Sequence, residues 1–279
     1  MKRLLISCAS IVCATISLPR CASADTQRSD KWAIIEDFSE YPDSGSSVGG
    51  SFLGGKNGGI GWSGAWEVGY GSSSTPWYTQ VRLTDGSGQC NAPLYYDGHT
   101  SDSQSLRYLN FATPDQSNWI ARNPAPPEGY GEANGDKMQF GVDGSTIWIS
   151  FVYRRPAALC GPGILQFWLQ QPSGNNPLRL QLPATDADKT NLVLIRIAYG
   201  EGNNDKLTYW LNPPRNWSER LAPTSEENGD FNFYRIAWIF ENPPSGVSND
   251  SLIDDIRICG NAASASELCI PRGTVFLLR

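Results

Sequence analysis

Hydrophobic positions in this chain recur in short alternating runs, divided by clusters of Gly, Pro, Asn, Asp and Ser. Alternation with a period of two is the mark of a strand with one buried face. It predicts strands at AIIEDF from Ala33, WYTQVRL from Trp77, SLRYLNF from Ser105, KMQFGV from Lys137, TIWISFVYRR from Thr146 and ILQFWLQ from Ile164. It predicts others at LRLQL from Leu178, LVLIRIAY from Leu192, KLTYWL from Lys206, FYRIAWIF from Phe233 and LIDDIRI from Leu252. Weaker runs lie at Trp66 to Tyr70 and Leu94 to Tyr96. No helical period separates these runs, which removes the parallel βαβ folds. Strands this numerous, each with an apolar face, pack as two antiparallel sheets, so the expected class is an all-β sandwich.

The patterns also predict position within a sheet. In TIWISFVY, Ile147, Ile149, Phe151 and Tyr153 share one face, while Thr146, Trp148, Ser150 and Val152 share the other. Both faces are partly apolar, so this strand is expected to be central. In LRLQL, Leu178, Leu180 and Leu182 point inward while Arg179 and Gln181 point out. The Pro-rich stretches NPAPPEG from Asn123 and NPPRN from Asn212 are short enough to be loops, and no repeat or linker divides the chain. A single sandwich domain over 25–260 is expected, followed by a polar tail over 261–279.

Residues 1–24 read as a secretory leader. Lys2 and Arg3 precede an apolar run from Leu4 to Leu18, and Ala22-Ser23-Ala24 supplies the small residues of a cleavage site. Pro19 and Arg20 do not suit lipid attachment at Cys21. An exported product (periplasmic, cell-surface or extracellular) is therefore expected. Removing Lys2, Arg3 and Arg20 from 22 basic residues leaves 19 against 28 acidic ones, a net charge of about −9. That balance argues against a nucleic-acid or anionic-membrane partner. No mature segment is apolar for the roughly 20 residues that a bilayer span needs, and a monomer is expected. Four of seven cysteines lie beyond the leader, at Cys90, Cys160, Cys259 and Cys269. Four cysteines allow three disulfide pairings; Cys259 with Cys269, ten apart, would leave Cys90 with Cys160.

Familiar catalytic motifs are present only in outline. Gly59, Gly61 and Gly64 form a G-x-G-x-x-G with Asp85 downstream, but neither a strand before it nor a helix after it supplies the amide donors that a pyrophosphate needs. Ser63 in GWSGA misses the nucleophile-elbow spacing, and the single histidine, His99, sits in the polar stretch DGHTSDS. A β-sandwich glycosidase would place its two carboxylates on one strand, and no Glu-x-Asp occurs in the chain. Glu226 and Glu227 are adjacent in an expected polar loop and point apart.

Two features remain. Glu36 and Asp37 in IIEDF, and Asp254 and Asp255 in LIDDIRI, are acids within strands. The alternation places Asp254 with Leu252, Ile256 and Ile258, so it must find a partner. That partner is either a nearby turn or a structural Ca2+ held by Glu36, Asp37 and Asp254. The second feature is aromatic. Trp62, Trp66, Tyr70, Trp77 and Tyr78 cluster in the first third, and aromatic faces stack on sugars. The segment NGGIGWSGAW, residues 57–66, sets two of these tryptophans among glycines, either as a lid folded onto a sheet or as a rim for a ligand.

IIEDFSEYP, GGSFLGGKNGGIGWSGAW, IWISFVYRR, LVLIRIAYGEGNNDKLTYWLNPP and SLIDDIRICG occur here in that order. In this the chain resembles exported bacterial surface proteins with a concanavalin A-like (LamG-like) jelly-roll domain, common in planctomycetes and verrucomicrobia. The resemblance covers nearly the whole mature chain and implies a jelly-roll sandwich, but no ligand. Together with the aromatic content, it leads to the expectation of a non-catalytic module binding polysaccharide or surface glycan. The alternatives are a structural or adhesive envelope protein and, less favoured, a polysaccharide hydrolase or lyase of the same fold.

Overall fold

Strand TIWISFVYR lies at the centre of the larger sheet, and almost every side chain on both of its faces is buried. The computed structural model describes residues 32–38, 40–41, 53–70, 78–83, 95–96, 99–100, 104–111, 118–155, 164–183, 189–202, 204–214, 217–241 and 248–260. For some strand residues, including Tyr70 and Tyr78, the description covers the backbone alone. The chain divides into units 1–30 and 31–279, and all described residues belong to the second. The expected leader, the tail over 261–279, Trp77, Cys90, Cys160 and Cys269 lie outside the described residues.

Seventeen strands and no helix are found among the described residues. In chain order they are β1 (Ala33–Glu36), β2 (Glu67–Tyr70), β3 (Tyr78–Leu83), β4 (Tyr95–Tyr96), β5 (His99–Thr100), β6 (Gln104–Phe111), β7 (Asn118–Arg122), β8 (Gly131–Asn134) and β9 (Lys137–Phe140). Then follow β10 (Thr146–Arg154), β11 (Ile164–Gln170), β12 (Leu178–Leu182), β13 (Asn191–Ala198), β14 (Asp205–Leu211), β15 (Ser225–Gly229), β16 (Arg235–Glu241) and β17 (Ser248–Gly260).

The larger sheet runs β15-β14-β13-β10-β17-β6-β3, with β1 also paired to β17, and the smaller runs β12-β11-β16-β7-β2. All pairings are antiparallel. The connections β2–β3, β6–β7, β10–β11, β12–β13 and β16–β17 each carry the chain from one sheet to the other, at matching positions in the two strand orders. A two-stranded ribbon wrapped in this way is a jelly roll. Its core interdigitates. Phe151 of the larger sheet lies 4.9 Å from Phe167 and 5.4 Å, edge-on, from Trp238 of the smaller one.

Three local expectations are corrected. The register of β17 against β10 shifts between Ser150 and Val152, leaving one extra residue in β17. Asp255 takes the left-handed conformation there, at φ 52°, and its N–H donates to Asp254 Oδ1 at 2.7 Å. This bulge breaks the alternation. Asp254 stays with Leu252 on the outer face, but Ile256 and Ile258 turn into the main core beside Ile253. Glu226 and Glu227, expected in a loop, lie on the edge strand β15, which pairs with β14. Its sequence SEENG shows no alternation because both faces meet water, and its charges discourage further pairing. His99, also expected in a loop, lies in the short β4–β5 ladder.

Candidate functional site

The glycine-rich segment lies flat against β1. Ile35 and Ile60 exchange backbone hydrogen bonds of 3.0 and 2.9 Å. Two glycines are required for this approach. Gly59 has φ 76°, and a Cβ there would stand 2.5 Å from the Ile35 carbonyl oxygen; Gly61 has φ 79°, and its Cβ would stand 2.8 Å from Ile34 Cγ1. With the backbone this close, Trp62 donates its indole N–H to the Ile35 carbonyl at 3.0 Å, and Trp66 drops into the core at 2% exposure.

Beneath the segment is a buried ionic knot. Glu36 on β1 and Arg122 on β7 are 1% and 0% exposed and form a direct ion pair. Glu36 Oε2 also accepts from the Tyr41 hydroxyl at 2.7 Å and the Trp66 indole at 3.1 Å, while Oε1 accepts from the Phe38 N–H at 2.9 Å. Arg122 spends its remaining donors on the Gly64 carbonyl at 3.1 Å, the Gly58 carbonyl at 2.6 Å and Asn57 Oδ1 at 3.0 Å. The guanidinium also lies 4.7 Å from the Trp62 ring centre and 5.5 Å from that of Trp66. Burial pushes the Glu36 carboxyl above its ordinary 4.5, while its Tyr41, Phe38, Arg122 and Trp66 partners pull it down. One arginine thus ties the first strand, the smaller sheet and the glycine-rich segment together.

This arrangement decides between two sequence readings. NGGIGWSGAW is a lid folded onto the sandwich: Trp66 is core, and half-buried Trp62 packs against that core with its N–H engaged. Tyr70 lies on β2 of the smaller sheet and Tyr78 on β3 of the larger, so the aromatic cluster of the first third is divided between opposite sheets. Of the expected calcium ligands, Glu36 is paired with Arg122, Asp37 follows β1 and Asp254 lies on the outer face at the bulge; among the described residues no three acidic, histidine or cysteine side chains assemble a metal site. Cys259 is buried on β17 beside Trp148, Leu194 and Trp210.

The aromatic surface lies elsewhere, on the outer face of the smaller sheet. Strand registers set its rows. Arg179 of β12 faces Trp168 of β11, which faces Ala237 of β16, then Ala121 of β7 and Glu67 of β2. The next row runs Gln181, Gln166, Ile239, Trp119 and Gly69. Beside these, Gln170 faces Arg235. Trp119 and Trp168 are half-buried and pack against a floor of Ala121, Ala237 and Ile239. Standing two strands apart and one row offset, they are separated by roughly 10 Å across the sheet and about 7 Å along it. Amides and charges surround them. Arg235 donates to Asn123 Oδ1 at 2.8 Å and Glu67 Oε1 at 2.6 Å, with its guanidinium 5.9 Å from the Trp119 ring. Arg179 lies 4.3 Å over Trp168, whose indole N–H donates to Gln166.

A cleft of about 370 Å³ adjoins this face, between Asn123–Pro126 and the β8–β9 hairpin, lined also by Ser63 and Tyr234. Arg235 bridges the two, its guanidinium lying 5.1 Å from the Tyr234 ring. On the outer face of the larger sheet, the tryptophans among the described residues pack on one another. Trp148 and Trp210 stack at 5.9 Å, half-buried Trp217 meets both edge-on, and Trp210 donates to the Leu221 carbonyl at 3.1 Å.

Neither Trp168 nor Trp119 is among the aromatics that the sequence singles out. A signal was present. In ILQFWLQ the inward phase is Leu165, Phe167 and Leu169, which puts Trp168 in phase with Gln166 and Gln170. A tryptophan in the polar phase of a strand marks an outward-facing ring.

No family model and no curated protein matches the chain. Among solved structures it is similar to the enzymatically active domain of bacteriophage CBA120 tailspike protein 4, at 8% identity and a TM-score of 0.36, over 70% of this chain and 19% of that one. It is similar to an endo-β-1,4-glucuronan lyase from the fungus Trichoderma reesei, at 11% identity and a TM-score of 0.39, over 74% of this chain and 98% of that one. It is also similar to a xylan-binding domain from Paenibacillus barcinonensis, at 11% identity and a TM-score of 0.31, over 72% of this chain and 88% of that one. Likenesses at this level carry no argument about a ligand or a reaction.

Proposed function

We propose that this chain is an exported, non-catalytic module that binds a polysaccharide along the outer face of its smaller sheet. The observation that carries this reading is the pair Trp119 and Trp168, half-exposed over a floor of small and aliphatic side chains and ringed by Gln166, Gln170, Gln181, Arg179 and Arg235. Pyranose rings present C–H groups that pack on aromatic faces and hydroxyls that need amide and guanidinium partners, and this face offers both within a few strands. The acid on these rows is Glu67, and it is paired to Arg235 at 2.6 Å. On the two tryptophan rows a single paired carboxylate does not supply the acid and nucleophile that glycosidic cleavage requires, and Glu241, the next outward position of β16 after Ile239, stands one row beyond them.

The test is co-sedimentation of the full chain with a panel of insoluble polysaccharides. The expected result is retention on at least one polymer, weakened about tenfold by Trp168→Ala and by Trp119→Ala, equivalent to about 1.4 kcal/mol each. Retention on no polymer, or retention untouched by both substitutions, would remove the face from consideration and favour the structural envelope protein.

A further inference from the structure

Resting on that reading, we infer that the bound polysaccharide is acidic, and that Arg179 is the residue that selects for its carboxylate or sulfate groups. Three of the arginines that lie on tryptophans differ in how they use their N–H donors. Arg122 spends all of its donors on Glu36, Tyr41, Asn57, Gly58 and Gly64. Arg235 is engaged by Asn123 and Glu67. Arg179 lies on Trp168 and has neither an ion-pair nor a hydrogen-bond partner among the described residues.

The position of Arg179 makes that freedom useful. It is exposed, on the edge strand β12, directly across from Trp168. The indole is held in turn by Gln166 on its own strand. A guanidinium resting on a fixed ring loses part of its rotamer freedom before any ligand arrives, while its donors stay free at its rim. Five N–H groups in a planar fork fit a carboxylate or sulfate with two parallel hydrogen bonds, the strong charge-assisted kind. A sugar packed beside Trp168 would bring an acidic substituent within reach of that fork.

Charge sharpens the selection. The chain carries a formal net charge of −6, so its long-range field repels polyanions in general. Along the outward positions that the registers set, Arg179 and Arg235 are matched in number by Glu67 and Glu241, so any attraction is local to the Arg179 fork. An acidic polymer would therefore be held through a local contact and not by overall attraction, and its binding should fall only gently with added salt, unlike binding through many phosphate contacts.

The experiment is affinity electrophoresis of the full chain through a polyuronate, a sulfated polysaccharide and neutral xylan. The expected result is that one of the two acidic polymers retards the chain about tenfold more strongly than xylan, and which one does so identifies the acidic group. Arg179→Gln is expected to bring retardation by the acidic polymer down to that by xylan on the same variant, and Arg179→Lys to restore only part of the preference, since lysine keeps the charge but not the fork. Trp168→Ala is expected to weaken retardation by every polymer about tenfold. Equal retardation by acidic and neutral polymers, or an acidic preference that survives Arg179→Gln, would overturn the role of Arg179. If Trp168→Ala still weakened binding to every polymer in that case, the binding face would stand and only its selectivity would fall. No retardation by any of the three overturns the acidic ligand.

Discussion

Two pairs of tryptophans in this molecule share one motif, an arginine stacked on indole, and use it in opposite ways. At Trp62 and Trp66 the cation is Arg122, fully buried, with its donors spent on Glu36 and on the backbone of the segment it holds. At Trp119 and Trp168 the cations are Arg235 and Arg179, at the surface, one partly engaged and the other stacked without a polar partner among the described residues. The stacking energy is similar in kind, about 0.5–2 kcal/mol depending on exposure. What separates the pairs is desolvation. A buried guanidinium must satisfy every donor, and in doing so it welds elements together. A guanidinium at the surface can leave its donors to water and exchange water for a ligand.

The largest expected effect tests that division directly. Trp66→Ala opens a cavity beside Phe38 and Trp238 and leaves Glu36 without one of its donors, so it should cost about 3–5 kcal/mol of stability. Trp168→Ala removes a half-exposed ring and should cost about 1 kcal/mol or less. Urea unfolding of the two variants measures both. Equal losses would mean that the outer tryptophans are as structural as the inner ones, and would end the case for a binding face.

A smaller effect comes from the backbone of the welded segment. Gly59→Ala forces a side chain into the left-handed region and against the Ile35 carbonyl, and should cost about 1–3 kcal/mol. Because the lid and the outer face are separate devices, polysaccharide retention per folded molecule should not change. A loss of retention in a folded Gly59→Ala protein would show that the lid shapes the binding face and that the two pairs are not independent.

Much of this contrast was legible in the sequence, and the parts that were not have physical causes. Strand alternation located most of the sandwich because one face of nearly every strand is buried, and the double-sided pattern of TIWISFVY correctly marked a central strand. Among the strands that escaped notice, β7 (NWIAR) is short and ends on Arg122, which is buried for its charge partner and not for its apolarity, and β15 (SEENG) has no buried face. The bulge at Asp255 was invisible because a single inserted residue looks like continued alternation until the register is known. Proximity in sequence also misled. Five aromatics in the first third suggested one surface, but a jelly roll sends successive strands to opposite sheets. Trp168, on which the proposed face rests, lies in a run that reads as core unless its phase is followed.

The smallest expected effect concerns pH and uses a third buried group that belongs to neither pair. Asp205, 2% exposed, accepts the N–H groups of Phe231 at 2.8 Å and Gly200 at 3.1 Å. Burial raises its carboxyl above the ordinary 3.8, the two N–H donors lower it, and the charges of Asp230 and Asp143 raise it further. Between 3.8 and the raised value, the folded protein keeps a proton that the unfolded chain has released. Stability therefore falls as pH rises through that window, and the contribution is fully present only below it. Thermal unfolding from about pH 4 to about pH 8 should show this slope in the native chain and a flatter one in Asp205→Asn. That variant should be less stable throughout, since an amide offers one acceptor oxygen where the carboxylate offered two. Retention on polysaccharide should not follow the same curve, because Asp205 lies on β14 of the larger sheet and the proposed face belongs to the smaller one. If retention and stability moved together with pH, binding would be reporting the integrity of the whole sandwich, and the distinction between a welded tryptophan pair and an available one would lose its functional meaning.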